Sequence, residues 1–236
     1  MPTCPVFPQR RRHPWAANLA LKGALPAALA LALAALGLAW AAPARAAPRG
    51  YTVDADASQL RIRVLRAGPF AALAHDHILI ARGLAGRIAF DAADPAASTG
   101  QLSVPVAFLE VDDPKERAQE GFSGELTEGN RASVRENLLA ADQLDGAGYP
   151  RIAVAVERLE GALPNPRVLV RVKIRDREQT LAVAATVSAD SGTLVVSGEV
   201  DLLQSAFGIA PYSSLFGAIA VKDAVRVKFQ IVARAE

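Results

Sequence analysis

Beyond residue 46 the sequence has no cysteine, methionine or tryptophan, since Cys4, Met1, Trp15 and Trp40 all precede that point. Without cysteine, residues 47–236 form no disulfide, no thiolate metal site and no cysteine nucleophile. About 190 residues can bury a sufficient core without such staples. Histidine is almost as scarce, with only His75 and His77 in this segment. Clustered lysine and arginine, the footprint of a nucleic-acid partner, are missing too. The chain has one long apolar run, Leu25–Ala42, and it lies before the segment that carries the other patterns.

That run follows Arg10, Arg11 and Arg12 and leads to the small-x-small end Ala44-Arg45-Ala46. A basic start, an apolar middle and a small-residue site predict a secretory signal peptide over residues 1–46, cut after Ala46 or, second, after Ala44. No hydrophobic pair closely follows the arginines, so general secretion is expected rather than twin-arginine export. The rival expectation is an uncleaved anchor, because the run approaches the ~20 residues of a spanning helix. Export to the periplasm is expected. The leader takes five basic residues from the 26 of the whole chain, leaving 21 against 24 acidic residues and a formal charge of −3. The remaining domain, 47–236, is therefore mildly acidic.

What that domain does have is alternation. Val225, Val227, Phe229 and Ile231 take turns with Arg226, Lys228 and Gln230. Similar two-residue rhythms run through Gln59–Arg66, Gly86–Asp91, Gln101–Val111, Arg151–Leu159, Arg167–Ile174, Thr180–Ser188, Thr193–Leu203 and Ala224–Arg234. Successive strand side chains face opposite ways, so each run has an apolar and a mostly wet face. Tyr51 and Val53 mark a short first strand. Pro105 lacks a ladder donor and predicts an edge, bulge or seam. Arg175-Asp176-Arg177 and Ser191-Gly192 read as hairpin turns. Asn130 is the expected N-cap of a helix through about Ala141, with Val134, Leu138 and Ala141 on one face. Pro114–Glu120 reads as a shorter helical turn. The sum predicts an all-β fold with a minor helix: a closed antiparallel up-and-down barrel of about eight strands, its helix outside or capping one end. Barrels of this size are filled by side chains or hold one ligand. Composition leaves both open, though inward Val, Ala, Leu and Ile would underfill a long bore.

A set of short motifs, in order along the chain, resembles the YceI-like family. They are Tyr51-Thr52-Val53-Asp54 with Ser58, Gly86-Arg87-Ile88-Ala89-Phe90-Asp91, and Arg135-Glu136 with Leu138 ahead of Leu144-Asp145 and Tyr149-Pro150. Ala206-Phe207-Gly208-Ile209 and Val221-Lys222-Asp223 complete the set. Ala57 stands where the family usually has His, and Val172-Lys173-Ile174-Arg175-Asp176 replaces its Leu-Thr-x-x-Gly turn. The resemblance implies a lipocalin-like exported barrel that carries or stores an isoprenoid-like lipid, such as a quinone tail, with no catalysis and no cofactor. The partners it implies are that lipid and a transient contact with the inner membrane or a membrane redox protein; a homodimer is a further reading. Phe70, Leu73, Phe108, Leu138, Phe207, Ile209 and Phe216 are the expected lining or lid residues.

The polar candidates are His75 and His77, which flank Asp76. On an extended segment both rings face one way, as a cap on a ligand head group, the start of a metal site, or a hydrogen-bonded pin. A closed metal site wants three or four ligands, and only carboxylates such as Asp54, Asp56 or Glu110 remain to complete it. A metal-binding or redox-linked protein is thus the second reading, and a ligand-free interaction scaffold the third. Gly121-Phe122-Ser123-Gly124 lacks the spacing and context of a nucleophile elbow. Asp112, Asp113 and Glu116 are expected on a solvated loop and helix start, and Arg61 and Arg63 on the outer wall. The connection Phe207–Phe216 is unusually apolar, and reads as a plug on the barrel end or as a lid or membrane-facing portal.

Overall fold

Fourteen strands and two helices are described in the computed structural model, which covers residues 47–236. In chain order they are β1 (Arg49–Val53), β2 (Gln59–Val64), β3 (Arg66–Ala67), β4 (His77–Ala81), β5 (Ala85–Phe90), β6 (Thr99–Pro105) and β7 (Leu109–Val111). Then come α1 (Pro114–Gln119), α2 (Glu128–Leu139), β8 (Arg151–Glu160), β9 (Arg167–Ile174), β10 (Arg177–Asp190) and β11 (Thr193–Leu203). The last are β12 (Ser213–Ser214), β13 (Ile219–Val221) and β14 (Ala224–Ala235). The expected leader, its cleavage site and the alternative anchor lie outside the described residues. Among the described residues no helix is long and apolar enough to cross a membrane.

The strands close into an eight-stranded antiparallel barrel. β14 pairs with β11 along its length and, on its other edge, with β1 at one end and β2 at the other. β1 and β2 therefore act as one bent strand. β4–β5 follows the same bend, pairing with β2 and β1, and β6–β7 follows it again, pairing with β5 and β4. The circuit continues through β8, β9, β10 and β11. Ser58 fills the first bend: its hydroxyl accepts from Val232 N–H at 3.0 Å and donates to Asp54 carbonyl at 2.7 Å. A side chain thus replaces the ladder bonds that the bulge removes. Every pairing that closes the barrel lies within residues 49–236, so this segment carries its own complete sheet and core.

Burial follows the alternation. On β10 the side chains of Val183, Ala185 and Val187 are buried while their neighbours are exposed. The β10–β11 hairpin turns at Ser191-Gly192, both with positive φ, the backbone that a two-residue turn between right-twisted strands requires. Gly198 faces inward opposite Phe229, and a Cβ there would come within 3.0 Å of that ring and 2.7 Å of the Ala184 carbonyl. The glycine lets the Phe229 ring lie flat on the wall.

Three sequence expectations are corrected. The longer helix is capped by Thr127: its hydroxyl accepts from Asn130 N–H at 3.1 Å, and Asn130 Oδ1 accepts from Thr127 N–H at 3.2 Å. Asn130 is thus the reciprocal partner of a capping box, not the cap, and the helix ends at Leu139. The expected continuous strand 101–111 breaks at Pro105, where the chain makes a short turn and leaves β8. β4 was not anticipated as a strand because Ile78, Leu79, Ile80 and Ala81 are all buried, leaving no alternation to read. Its outer face is covered by α1.

Candidate functional site

The inward faces do not meet across the barrel. Leu60, Ile62, Leu102, Ile152, Val154, Val156, Val170, Val196 and Phe229 all point into the bore, yet each keeps partial solvent exposure. That exposure is to an internal cavity of about 270 Å³. Of its wall residues only Ser98, Thr99, Gln143 and Gln204 are polar; the rest are apolar, chiefly valine, leucine and isoleucine. A single water needs roughly 10–15 Å³ of such space and several polar partners, so this chamber has ample room but offers water few partners. Among the described residues no ionisable side chain lines it. The wall suits an apolar chain.

The two ends of the bore differ. At one end Phe90, Leu159, Val187 and Leu194 pack tightly, with Leu194 1 % exposed. Ser98 there is turned to the Asp91 N–H at 3.0 Å. At the other end β11 runs out at Leu203, which is 51 % exposed, and two connections close over the opening. One contributes Leu138, Gln143 and Leu144, the other Gln204, Phe207 and Ile209. Gln143 Nε2 donates to the Ala210 carbonyl at 3.1 Å, joining the two. Gln204 Nε2 donates to the Lys222 carbonyl at 2.9 Å. The closure is both packed and hydrogen-bonded, since Phe207 and Ile209 are buried with Val172 and have Leu144 and Leu202 packed against them. Where β7 parts from β8, Arg135 donates to the Leu109 and Ala107 carbonyls at 2.7 and 2.5 Å, so α2 caps the freed strand edge. Leu138, one turn on, enters the wall.

Outside the barrel wall lies a buried polar cluster. Asp112, fully buried and at φ 54°, accepts from Ile78 N–H at 3.0 Å and Arg117 Nη1 at 2.8 Å, with His77 Nδ1 at 2.6 Å. Arg117, also buried, further donates to the carbonyls of Asp76, Ser123 and Gly124. Burial alone would raise the Asp112 pKa, but the bonds from His77, Ile78 and Arg117 outweigh it and hold the carboxyl below its ordinary value. The expectation that Asp112 is solvated is therefore corrected. Asp113 beside it caps α1, accepting from Lys115 N–H at 2.9 Å. Arg61 and Arg63 face outward as expected, where they hold α1 through Glu116 at 2.8 Å and Glu120 at 3.3 Å.

The nine sequence candidates thus separate. Leu138, Phe207 and Ile209 line the cavity. His77 is bound to Asp112, and His75 is exposed beside Gly124, so neither ring reaches the bore; the expectation of a histidine cap over the cavity is corrected. Asp112, absent from the candidate metal ligands, has taken the His77 nitrogen. Phe70, Leu73, Phe108 and Phe216 are exposed on the outside rather than in the wall. The wall is made chiefly by the strands' own aliphatic sets, not by the loop residues. The inward alternation already carried that list. Gln143 and Gln204 gave no sequence signal, since each sits in a connection whose path only the closed barrel defines.

The sequence model of the YceI-like domain matches residues 51–233. No curated protein sequence matches the chain. Among solved structures, BcnA from Burkholderia cenocepacia is similar with a TM-score of 0.59 at 18 % identity, covering 76 % of this chain and 98 % of that one. A polyisoprenoid-binding domain from Saccharophagus degradans, implicated in plant cell wall breakdown, gives 0.51 at 13 % identity, covering 79 % and 98 %. The YceI protein of Campylobacter jejuni gives 0.50 at 12 % identity, covering 67 % and 84 %. At these identities the likeness is one of fold.

Proposed function

The chain belongs to the YceI-like family, and from that membership and its hollow barrel we propose that it binds one long-chain isoprenoid or related lipid, as an exported periplasmic carrier or store without catalysis. The observation that carries this reading is the apolar bore, with four polar residues among the described residues of its wall, Ser98 already engaged. Each methylene buried there gains about 0.8 kcal/mol, so a long chain binds well with little help from its head. The volume, about 270 Å³, falls just below the ~300–1,000 Å³ usual for small-molecule sites, which favours a slender tail with its head at the mouth. Gln143 and Gln204 use their amide N–H groups to hold the closure, which leaves their carbonyl oxygens to accept from a hydroxyl head group. The neighbouring domain from Saccharophagus degradans, named for polyisoprenoid binding, supports the ligand class.

Native mass spectrometry and organic extraction of protein recovered from the periplasm test the proposal. The expected result is a co-purifying apolar lipid, one per barrel. Periplasmic protein that carries none, and takes up none from an isoprenoid quinone suspension, would contradict it.

A further inference from the structure

The connection from β11 to β14 does two opposite things. Its first arm buries Phe207 and Ile209 in the bore end, while its second drives Leu215 and Phe216 outward. Leu215, Phe216 and Gly217 have φ of 50°, 58° and 85°, so three successive residues hold left-handed backbone, two of them with large side chains. Such residues rarely adopt it without a reason in their surroundings. Phe216 is 113 % exposed, and a Cβ on Gly217 would meet nothing within 4 Å, so the tip stands clear of the protein. β13 pairs with β3, and Phe70 N–H donates to the Ala218 carbonyl at 2.9 Å, which brings Phe70 and Leu73 beside it. Gly68 permits the approach: at φ 89° a Cβ would lie 2.6 Å from the Ala218 carbonyl.

This apolar prominence is built on the bore's mouth. Lys222 N–H donates to the Leu65 carbonyl at 2.7 Å, one residue past Val64 of the wall, and Gln204 N–H donates to the Asp223 carbonyl at 3.1 Å. At its base Lys222 is exposed, with no ion-pair partner among the described residues, and Val221 pairs directly with Arg66. Arg66 is engaged locally, its guanidinium 3.7 Å from the Asp76 carboxylate and donating to the Ala74 carbonyl at 2.9 Å, and Asp223 accepts from Ser205 N–H at 2.8 Å, which leaves Lys222 as the exposed cation at the base.

We propose that Phe70, Leu73, Leu215 and Phe216 form a wedge that inserts into an anionic bilayer surface, with Lys222 at the phosphates, and so sets the bore's mouth against the lipid. A narrow convex tip gains contact all round only in a medium that closes over it, and apolar side chains above an exposed lysine match the order of acyl chains and headgroups. This rests on the lipid-binding reading, since a ligand insoluble in water has to enter and leave at a membrane.

The test uses residues 47–236, which lack tryptophan, with Phe216→Trp as a single reporter. Vesicles of phosphatidylethanolamine and phosphatidylglycerol should shift its emission to the blue, and lipids brominated on the acyl chain should quench it. In flotation, Leu215→Asp and Phe216→Asp should each weaken vesicle binding on the order of ten- to a hundredfold, with the thermal midpoint unchanged. Unchanged emission with vesicles would overturn the proposal. So would a blue shift without vesicles that grows with protein concentration, which would place the tip against a second copy. Docking without any extractable lipid defeats only the cavity reading, and extractable lipid without docking defeats only the wedge.

Discussion

The two ends of the barrel are made by the same strands and the same alternation, but they are held differently. At the end of the β10–β11 hairpin, inward side chains meet one another, and Leu194, Val187, Leu159 and Phe90 exclude water by contact. At the opposite end two connections from outside the ladder do the closing: Phe207 and Ile209 are buried with Val172, and polar bonds join Gln143 to Ala210 and Gln204 to Lys222, with the Asp112 cluster on the flank. The strands' own residues make the stopper, whereas the other end is covered by connections that are not rungs of the barrel ladder. That difference is why we propose the covered end as the entrance.

The largest effect expected from breaking this arrangement is at Asp112. Asp112→Asn leaves the Arg117 charge buried without its carboxylate and should cost about 3–5 kcal/mol in denaturant titration. The sign with pH follows from the lowered Asp112 pKa. Its stabilisation is complete above the ordinary value of 3.8 and disappears as pH falls through the lower folded value. The gap between wild type and Asp112→Asn should therefore narrow below about pH 4. A gap that widens on acidification would refute the assignment.

At the packed end, Leu194→Ala should cost about 2–5 kcal/mol, because the space it leaves has no other occupant. Leu60→Ala, facing the chamber, should cost less, since its side chain already borders empty volume. Equal losses in the two variants would mean that the chamber wall is as closely packed as the stopper. The smallest effect belongs to the closure itself: Gln143→Ala removes one partly exposed bond and should cost about 0.5–1.5 kcal/mol. It should also speed release of bound lipid, followed by transfer to acceptor vesicles.

The sequence made the barrel legible because inward and outward positions differ in kind, as in Val225, Val227 and Phe229 against Arg226 and Lys228. It hid β4, whose Ile78 and Ile80 are covered by α1 and break the rhythm. It also hid Asp112, since a buried carboxylate and a solvated one look alike until His77 and Arg117 converge from separate segments. The wall residues were readable, but Phe70, Phe108 and Phe216, expected among them, stand outside. The strands fix position by local periodicity; the connections take theirs from contacts distant in the chain.

Val195 and Val196 are neighbours on β11, one facing outward and the other into the bore. The most direct measurement is the lipid recovered per barrel from Val196→Phe and Val195→Phe, each folded and extracted beside wild type. The account predicts that phenylalanine at 196 fills the chamber and abolishes bound lipid, while phenylalanine at 195 leaves it in place. Lipid retained by both variants, or lost from both, would contradict the claim that the inward face of the alternation is the binding chamber.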